Sequence, residues 1–179
     1  MAFHFRAATV ADIPAIRELI AASVLTLQVE YTPEQRELAL TTVFTVDTQL
    51  VADGTYLLAF SEDGALAGCG GWSKRKTLYG GDHQVEAIEP ELLDPQKDAA
   101  KIRAIFIHPS FARQGLGTAI LVRSEDAAKD AGFKSFEMGS TLSGVPLYSL
   151  KGYRKLEEIT VPVGAGEGIT VVRMVKGVV

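Results

Sequence analysis

KIRAIFIHPSFARQGLGTAILVRSEDAAKDAG, residues 101–132, is the stretch on which the fold of this chain turns. Ile102, Ala104, Ile105, Phe106 and Ile107 make an apolar run too short for a helix and suited to a buried strand. His108-Pro109-Ser110 closes the strand, because Pro109 has no N–H for a ladder and restricts the residue before it. Arg113-Gln114-Gly115-Leu116-Gly117-Thr118 then opens a helix expected over 116–131. Leu116, Ala119, Ile120, Ala127 and Ala131 share one face of it at helical spacing, and Gly132 is placed to end it.

The turn between strand and helix has a chemistry of its own. The first amides of a helix lack intrahelical partners and sit at the positive end of its dipole. Gly115 and Gly117 remove side chains there, so backbone can close on a phosphate or pyrophosphate, with the Arg113 cation in reach. The same spacing also fits a strand-to-helix turn that simply needs two glycines. Two other phosphate motifs do not fit. No GxxxxGK[ST] occurs in the chain, and a Rossmann fingerprint would need glycine where Ile120 stands.

Gln114-Gly115-Leu116-Gly117-Thr118-Ala119 resembles the Q/R-x-x-G-x-G/A signature of the GNAT superfamily of acyl-CoA-dependent N-acyltransferases. IFIHPSFARQG is similar to that family's lead-in, V-x-P-x-x-R-x-x-G. Further on, SGVPLYSLKGYRK resembles the family's second signature, N-A-x-x-F/L-Y-x-x-x-G-F. There Leu147, Tyr148 and Gly152 match, while Ser143 replaces Asn, Gly144 replaces Ala and Tyr153 replaces Phe. The opening AATVADIPAI is loosely similar to a GNAT amino terminus.

The resemblance implies an α/β (α+β) domain over 1–179, with a mixed, mostly antiparallel central sheet of six to seven strands and about four helices. It implies that Arg113, Gln114, Gly115, Leu116, Gly117 and Thr118 hold the pyrophosphate of coenzyme A. Ile105, Phe106 and Ile107 would offer their backbone to its pantetheine arm, and Ser143 would hydrogen bond where Asn is usual. Tyr148 is implied as the proton donor to the departing sulfur; its bland alternative is an aromatic packed on the coenzyme. The implied activity is acetyl transfer from acetyl-CoA, as cosubstrate and without a metal, to a primary amine by direct attack. A non-catalytic acyl-CoA-binding module of the same fold is the alternative. A nucleotide-binding protein using the cradle for ATP would lack both the P-loop lysine and a magnesium-binding carboxylate motif.

Composition agrees with one soluble globule. The 179 residues are 47% hydrophobic and 22% charged, with a net charge of −4 that gives no bulk attraction to nucleic acid or anionic membrane. The one cysteine, Cys69, excludes an internal disulfide and supplies no metal cluster. The start has no signal layout and no apolar run approaches ~18 residues, so a cytoplasmic monomer or homodimer is expected.

Outside the central unit, Phe3-His4-Phe5-Arg6 begins a strand, and Thr9 or Asp12 starts a helix with Ile13, Ile16, Leu19 and Ile20 on its apolar face. Thr32-Pro33-Glu34 starts a second helix, followed by a short turn before Asp53-Gly54. Glu30 and Tyr31 fall between the helices, as solvated loop or as substrate contacts. Strands at 56–60 and 66–73 form a hairpin around Gly64; Gly68, Gly70 and Gly71 suggest bulging or close backbone approach, and Cys69 and Trp72 read as packing. Residues 77–99 form a long connection carrying Tyr79, Asp82, His83, Glu86, Glu89, Glu91 and Asp94, either a solvated loop or a flap that attracts a cationic amine. Strands are expected at 134–139, from about 153, and at 168–176, with a short helix at 145–150.

Acyl transfer also needs a base. An amine of pKa about 10.4 is deprotonated in roughly one molecule per thousand near neutrality. The central strand has Lys101 and Arg103 instead of an acid, which leaves Glu137, Glu86, His83 or a water relay.

Overall fold

The run at 102–107 lies in β4 (Ala100–Ile107), the middle strand of a seven-stranded sheet. The computed structural model describes residues 2–76 and 91–177. The other strands are β1 (Phe3–Ala7), β2 (Tyr56–Ser61), β3 (Leu66–Ser73), β5 (Ser135–Thr141), β6 (Arg154–Gly164) and β7 (Glu167–Gly177). Their order is β1-β2-β3-β4-β5-β7-β6, with β4 and β5 the parallel pair in an otherwise antiparallel sheet. Helices α1 (Ile13–Leu27), α2 (Pro33–Leu40) and α3 (Thr48–Asp53) cover one face; α4 (Leu116–Asp130) and α5 (Val145–Leu150) cover the other. The expected mixed α/β architecture is present, with one helix more than the expectation of about four. The addition is α3, where only a turn was expected. The Asp47 carboxylate accepts from the Leu50 N–H at 3.2 Å to start it, and Gly54 at φ +72° ends it.

β4 is buried on both sides, as its mostly apolar run requires. Ala100 and Ile102 pack with Leu121, Phe136 and Met138 under α4, while Phe106 packs with Ile16, Leu19 and Ile20 of α1. The strand is also bent. Pairing with β3 steps from Cys69↔Phe106 to Gly71↔Arg103, so Ala104 and Ile105 stand opposite Gly70 alone. Ala104 takes up the extra residue at φ +58°, a conformation rare for a residue with a Cβ. The β3 glycines allow the close approach. A Cβ on Gly71 would lie 2.1 Å from the Thr55 carbonyl oxygen, and one on Gly70 would lie 2.7 Å from the Ile105 and Ile120 side chains.

The bend opens the sheet. β4 and β5 pair only at Ala100↔Phe136 and Lys101↔Glu137; beyond that point the strands part. α4 starts beside the opening and α5 follows β5 into it, so the local geometry of one strand positions every wall of the cleft described below.

The alanines misplaced the face of α4. Ala127 and Ala131 are exposed, and the buried stripe is Leu116, Ile120, Leu121, Ser124, Glu125 and Ala128. Alanine has too little side chain to choose a face, whereas the two polar residues can be buried because they are satisfied. Ser124 donates to the Ile120 carbonyl at 2.9 Å, and the Glu125 carboxylate accepts from the Tyr153 hydroxyl at 3.0 Å and the Lys176 ammonium at 2.9 Å.

The connection at 77–99 splits into two parts. Tyr79, Asp82, His83, Glu86 and Glu89 lie outside the described residues. Its end, 91–99, is largely exposed but anchored at Leu93. Leu93 is buried against Trp72 and Phe133's cluster, with its N–H on the Lys74 carbonyl at 2.7 Å.

Candidate active site

Where β4 and β5 part, a cavity of about 80 Å³ is lined by Ile102–Phe106 of β4, by 138–141 of β5, by 43–45 and by Tyr148. It runs beside a larger groove of about 630 Å³ between the end of α1, the tail of β4, the start of α4 and the segment 141–150. Tyr148 lines both.

The start of α4 forms the floor at one end of the groove. Gly115 is the N-cap at φ +81°, and Arg113 just before it is also left-handed at φ +60°. The first bond within the helix runs from the Ala119 N–H to the Gly115 carbonyl at 3.0 Å, so the amides of Leu116, Gly117 and Thr118 precede it. No side chain caps this end. Three amides at a positive helix terminus beside an arginine suit an anion. Gly117 keeps the approach open, since a Cβ there would meet Leu147 Cδ2 at 3.3 Å, on the opposite wall.

Ile105, Phe106, Ile107, Arg113, Gly115, Leu116, Gly117, Thr118, Ser143 and Tyr148 all line this groove. Gln114 does not. Its side chain is exposed and reaches only the Ser110 carbonyl, at 3.5 Å. The Ser143 hydroxyl is already engaged, by the Glu30 carboxylate and by the Leu27 carbonyl at 3.4 Å.

Tyr148 is held by its ring against Tyr153, edge to face at 6.1 Å. Burial pushes its phenol up to about 12, so it stays protonated at neutral pH and can donate. Glu137 stands differently from a free base. Burial alone would raise its carboxyl, but hydrogen bonds from Lys101 and Arg173 outweigh that and hold it below the ordinary carboxylate range. Arg103 is buried in an ion pair with Asp47 at 2.6 Å. His83 and Glu86 lie outside the described residues. The polar residues lining the smaller cavity are Thr45, Arg103, Ser140, Thr141 and Tyr148, with no carboxylate or imidazole among the described residues there.

Sequence reasoning missed the α1 side of the groove: Ser23, Leu27 and Gln28 had drawn no notice, and Glu30 had no assigned wall. Tyr31, weighed as loop or substrate contact, is neither. It is buried, its hydroxyl donating to the Thr170 carbonyl at 2.6 Å and accepting from the Leu142 N–H at 3.1 Å.

Residues 91–178 match the family described as the acetyltransferase (GNAT) domain, and they include both signature segments. Over those residues the chain carries a GNAT acetyltransferase domain. Solved structures share the GNAT fold over the whole chain. A GCN5-related N-acetyltransferase from Rhodopseudomonas palustris is 18% identical with a TM-score of 0.73, over 99% of this chain and 97% of that one. The PaiA N-acetyltransferase of Thermoplasma acidophilum, solved with coenzyme A, is 15% identical with a TM-score of 0.68, over 99% of both chains. A phosphinothricin acetyltransferase from Sinorhizobium meliloti, solved with acetyl-CoA, is 17% identical with a TM-score of 0.65, over 99% of this chain and 89% of that one. No curated protein matches the sequence. Among the described residues no helix is long and apolar enough to cross a membrane.

Proposed function

We propose that the protein is an acetyl-CoA-dependent N-acetyltransferase acting on a primary amine by direct attack in a ternary complex. The observation that carries this is the position of Tyr148, at the junction of a groove lined by uncapped helix amides and a small cavity between parting strands. The coenzyme A complex of the Thermoplasma acidophilum protein and the acetyl-CoA complex of the Sinorhizobium meliloti protein support the choice of ligand.

Acetyl-CoA, as cosubstrate, supplies an acetyl thioester. The amides of Leu116, Gly117 and Thr118, with Arg113, take its pyrophosphate, and the free edge of β4 at 105–107 takes the pantetheine arm. The amine enters from the 80 Å³ cavity. A C–N bond forms, the C–S bond breaks, the nitrogen loses one proton and the sulfur gains one. Backbone N–H of the β4 edge stabilises the oxygen where negative charge develops. Tyr148 serves the departing sulfur. Its phenol, near 12, is a weaker acid than an ordinary thiol at ~8.5, so its main contribution is a donated hydrogen bond. The amine's proton leaves through water in the small cavity, beside the hydroxyls of Thr45 and Thr141; a water needs only ~15 Å³ of such space.

A non-catalytic acyl-CoA-binding module remains the second reading, favoured by the lack of a carboxylate or imidazole among the described residues of that cavity. Thiol release from acetyl-CoA across a panel of amines separates the two. Amine-dependent release above the hydrolysis background supports the enzyme. Tight coenzyme binding with no release for any amine class supports the module.

A further inference from the structure

Gln28 is the residue of the groove that the fold leaves unused. It caps the end of α1 at φ −91°, ψ 59°, and its backbone is satisfied: the N–H meets the Val24 carbonyl at 3.4 Å, and the carbonyl accepts from Tyr31 at 3.2 Å. The side chain is another matter. Gln28 is 6% exposed, it lines the 630 Å³ groove, and its Oε1 has no hydrogen-bond partner among the described residues. A buried amide oxygen without a partner is costly, and native interiors rarely keep one. Ser143 of the groove and Tyr31, three residues on, are committed elsewhere. Ser143 is held by Glu30 and the Leu27 carbonyl, and the Tyr31 hydroxyl bridges Thr170 and Leu142.

We propose that the Gln28 carboxamide is a ligand contact, taking a pantetheine amide N–H of the coenzyme across the groove from the β4 edge. The inference rests on the coenzyme reading above and goes beyond it by assigning a side chain that neither signature contains. Three observations select pantetheine over the pyrophosphate or the acceptor. The unpartnered atom of Gln28 is a carboxamide oxygen, which accepts and so does not answer a phosphate, whereas it matches an amide N–H. It shares the groove with Ile105, Phe106 and Ile107, the strand tail placed along the arm. It does not line the small cavity from which the amine enters. An unpartnered carboxamide oxygen in the lining of a groove suited to an amide-bearing arm is half of a hydrogen bond.

The test uses Gln28→Met, which keeps the length of the side chain and removes its polarity. Calorimetry measures coenzyme A and adenosine 3′,5′-bisphosphate, a fragment without the pantetheine arm, on wild type and variant. Wild-type binding of coenzyme A tests the underlying reading by itself; if wild type does not bind, that reading has failed before Gln28 is asked about. If wild type binds, the variant should lose about three- to tenfold in coenzyme A affinity, the worth of one neutral hydrogen bond, with fragment affinity unchanged. Its melting temperature without ligand should hold or rise, because an unsatisfied polar atom has been removed. Unchanged coenzyme A affinity overturns the proposal, as does a rise confined to the amine KM. A Gln28→Met protein that melts markedly earlier or fails to fold also overturns it, because the carboxamide would then be serving the structure.

Discussion

The two walls of the groove are built in different ways. One is a continuous piece of chain, the tail of β4 running into the start of α4, and it presents mainly backbone: an unpaired strand edge and three uncapped amides. The other joins the end of α1 to residues 141–150 and presents side chains, Gln28, Glu30, Ser143 and Tyr148 among them. Backbone recognition demands glycine at fixed spacing and a proline to stop the strand, so it leaves a mark in the sequence. Side-chain recognition demands only that distant residues meet, and apart from the second signature, which carries Ser143 and Tyr148, it leaves almost none. The first wall suits the constant part of a ligand, its phosphates. The second is where members of one fold can differ.

The heaviest blow to the first wall is a side chain at Gly117. A Cβ there already meets Leu147 at 3.3 Å, so Gly117→Phe would fill the approach to the helix amides without demanding a left-handed backbone. Losing two charge-assisted hydrogen bonds, at ~1.5–3 kcal/mol each, should lower coenzyme A affinity by about 10²–10⁴-fold. Gly115→Ala is a different experiment. The φ of +81° makes the substitution strained although nothing lies within 4 Å of the new Cβ, so stability should fall along with binding. Calorimetry together with thermal melts would show whether the two glycines act by these separate routes; unchanged affinity in both variants would remove the cradle.

Next in size is Glu137, which lies just where β4 and β5 still pair. Glu137→Gln removes the partner of both Lys101 and Arg173 and should cost about 3 kcal/mol of stability. The sign of its pH dependence follows from its lowered carboxyl. A group whose folded pKa lies below its unfolded value of ~4.3 stabilises above that value and stops doing so as pH falls through the folded one. Wild type should therefore lose its lead in melting temperature over Glu137→Gln as pH drops below about 4. If Glu137 were the general base, the variant would lose kcat as well as stability.

Much of this architecture was legible in the sequence. The strand, stop and helix of 101–132 were, because each boundary has a chemical cause: Pro109 cannot pair, Gly115 and Gly117 open the helix, Gly132 at φ +96° closes it. The short α5 was legible at its full extent. What escaped was tertiary. Nothing local says that Asp47 will meet Arg103, that Tyr31 will bridge Thr170 and Leu142, or that Gln28 will be buried in the lining of the groove. Polar residues between two helices look solvated until the sheet they cover is known. The alanines of α4 failed for the converse reason, since an apolar spacing made of small side chains fits more than one face.

Tyr148→Phe probes the side-chain wall with a smaller effect. The ring and its contact with Tyr153 survive, so coenzyme affinity should hold. General acids contribute ~10²–10⁴-fold, yet a phenol near 12 opposite a fair leaving group should contribute less, about tenfold in kcat. Single-turnover kinetics, where chemistry limits the rate, would read it. A wild-type kcat removes Tyr148 from the mechanism and leaves an aromatic that only packs.

The smallest effect sharpens the contrast most. Gln114 stands first in the signature, and the resemblance gives it a share in holding the coenzyme. Its side chain, however, is exposed, absent from the groove lining, and touches only the Ser110 carbonyl at 3.5 Å, the limit of a useful hydrogen bond. If the first wall works through backbone, Gln114→Ala keeps every amide in place and changes coenzyme A affinity by less than about twofold, in line with exposed substitutions that touch nothing. Calorimetry at two salt concentrations is the check. A tenfold loss would mean that the glutamine swings in to meet the ligand, and the first wall would then depend on a side chain after all.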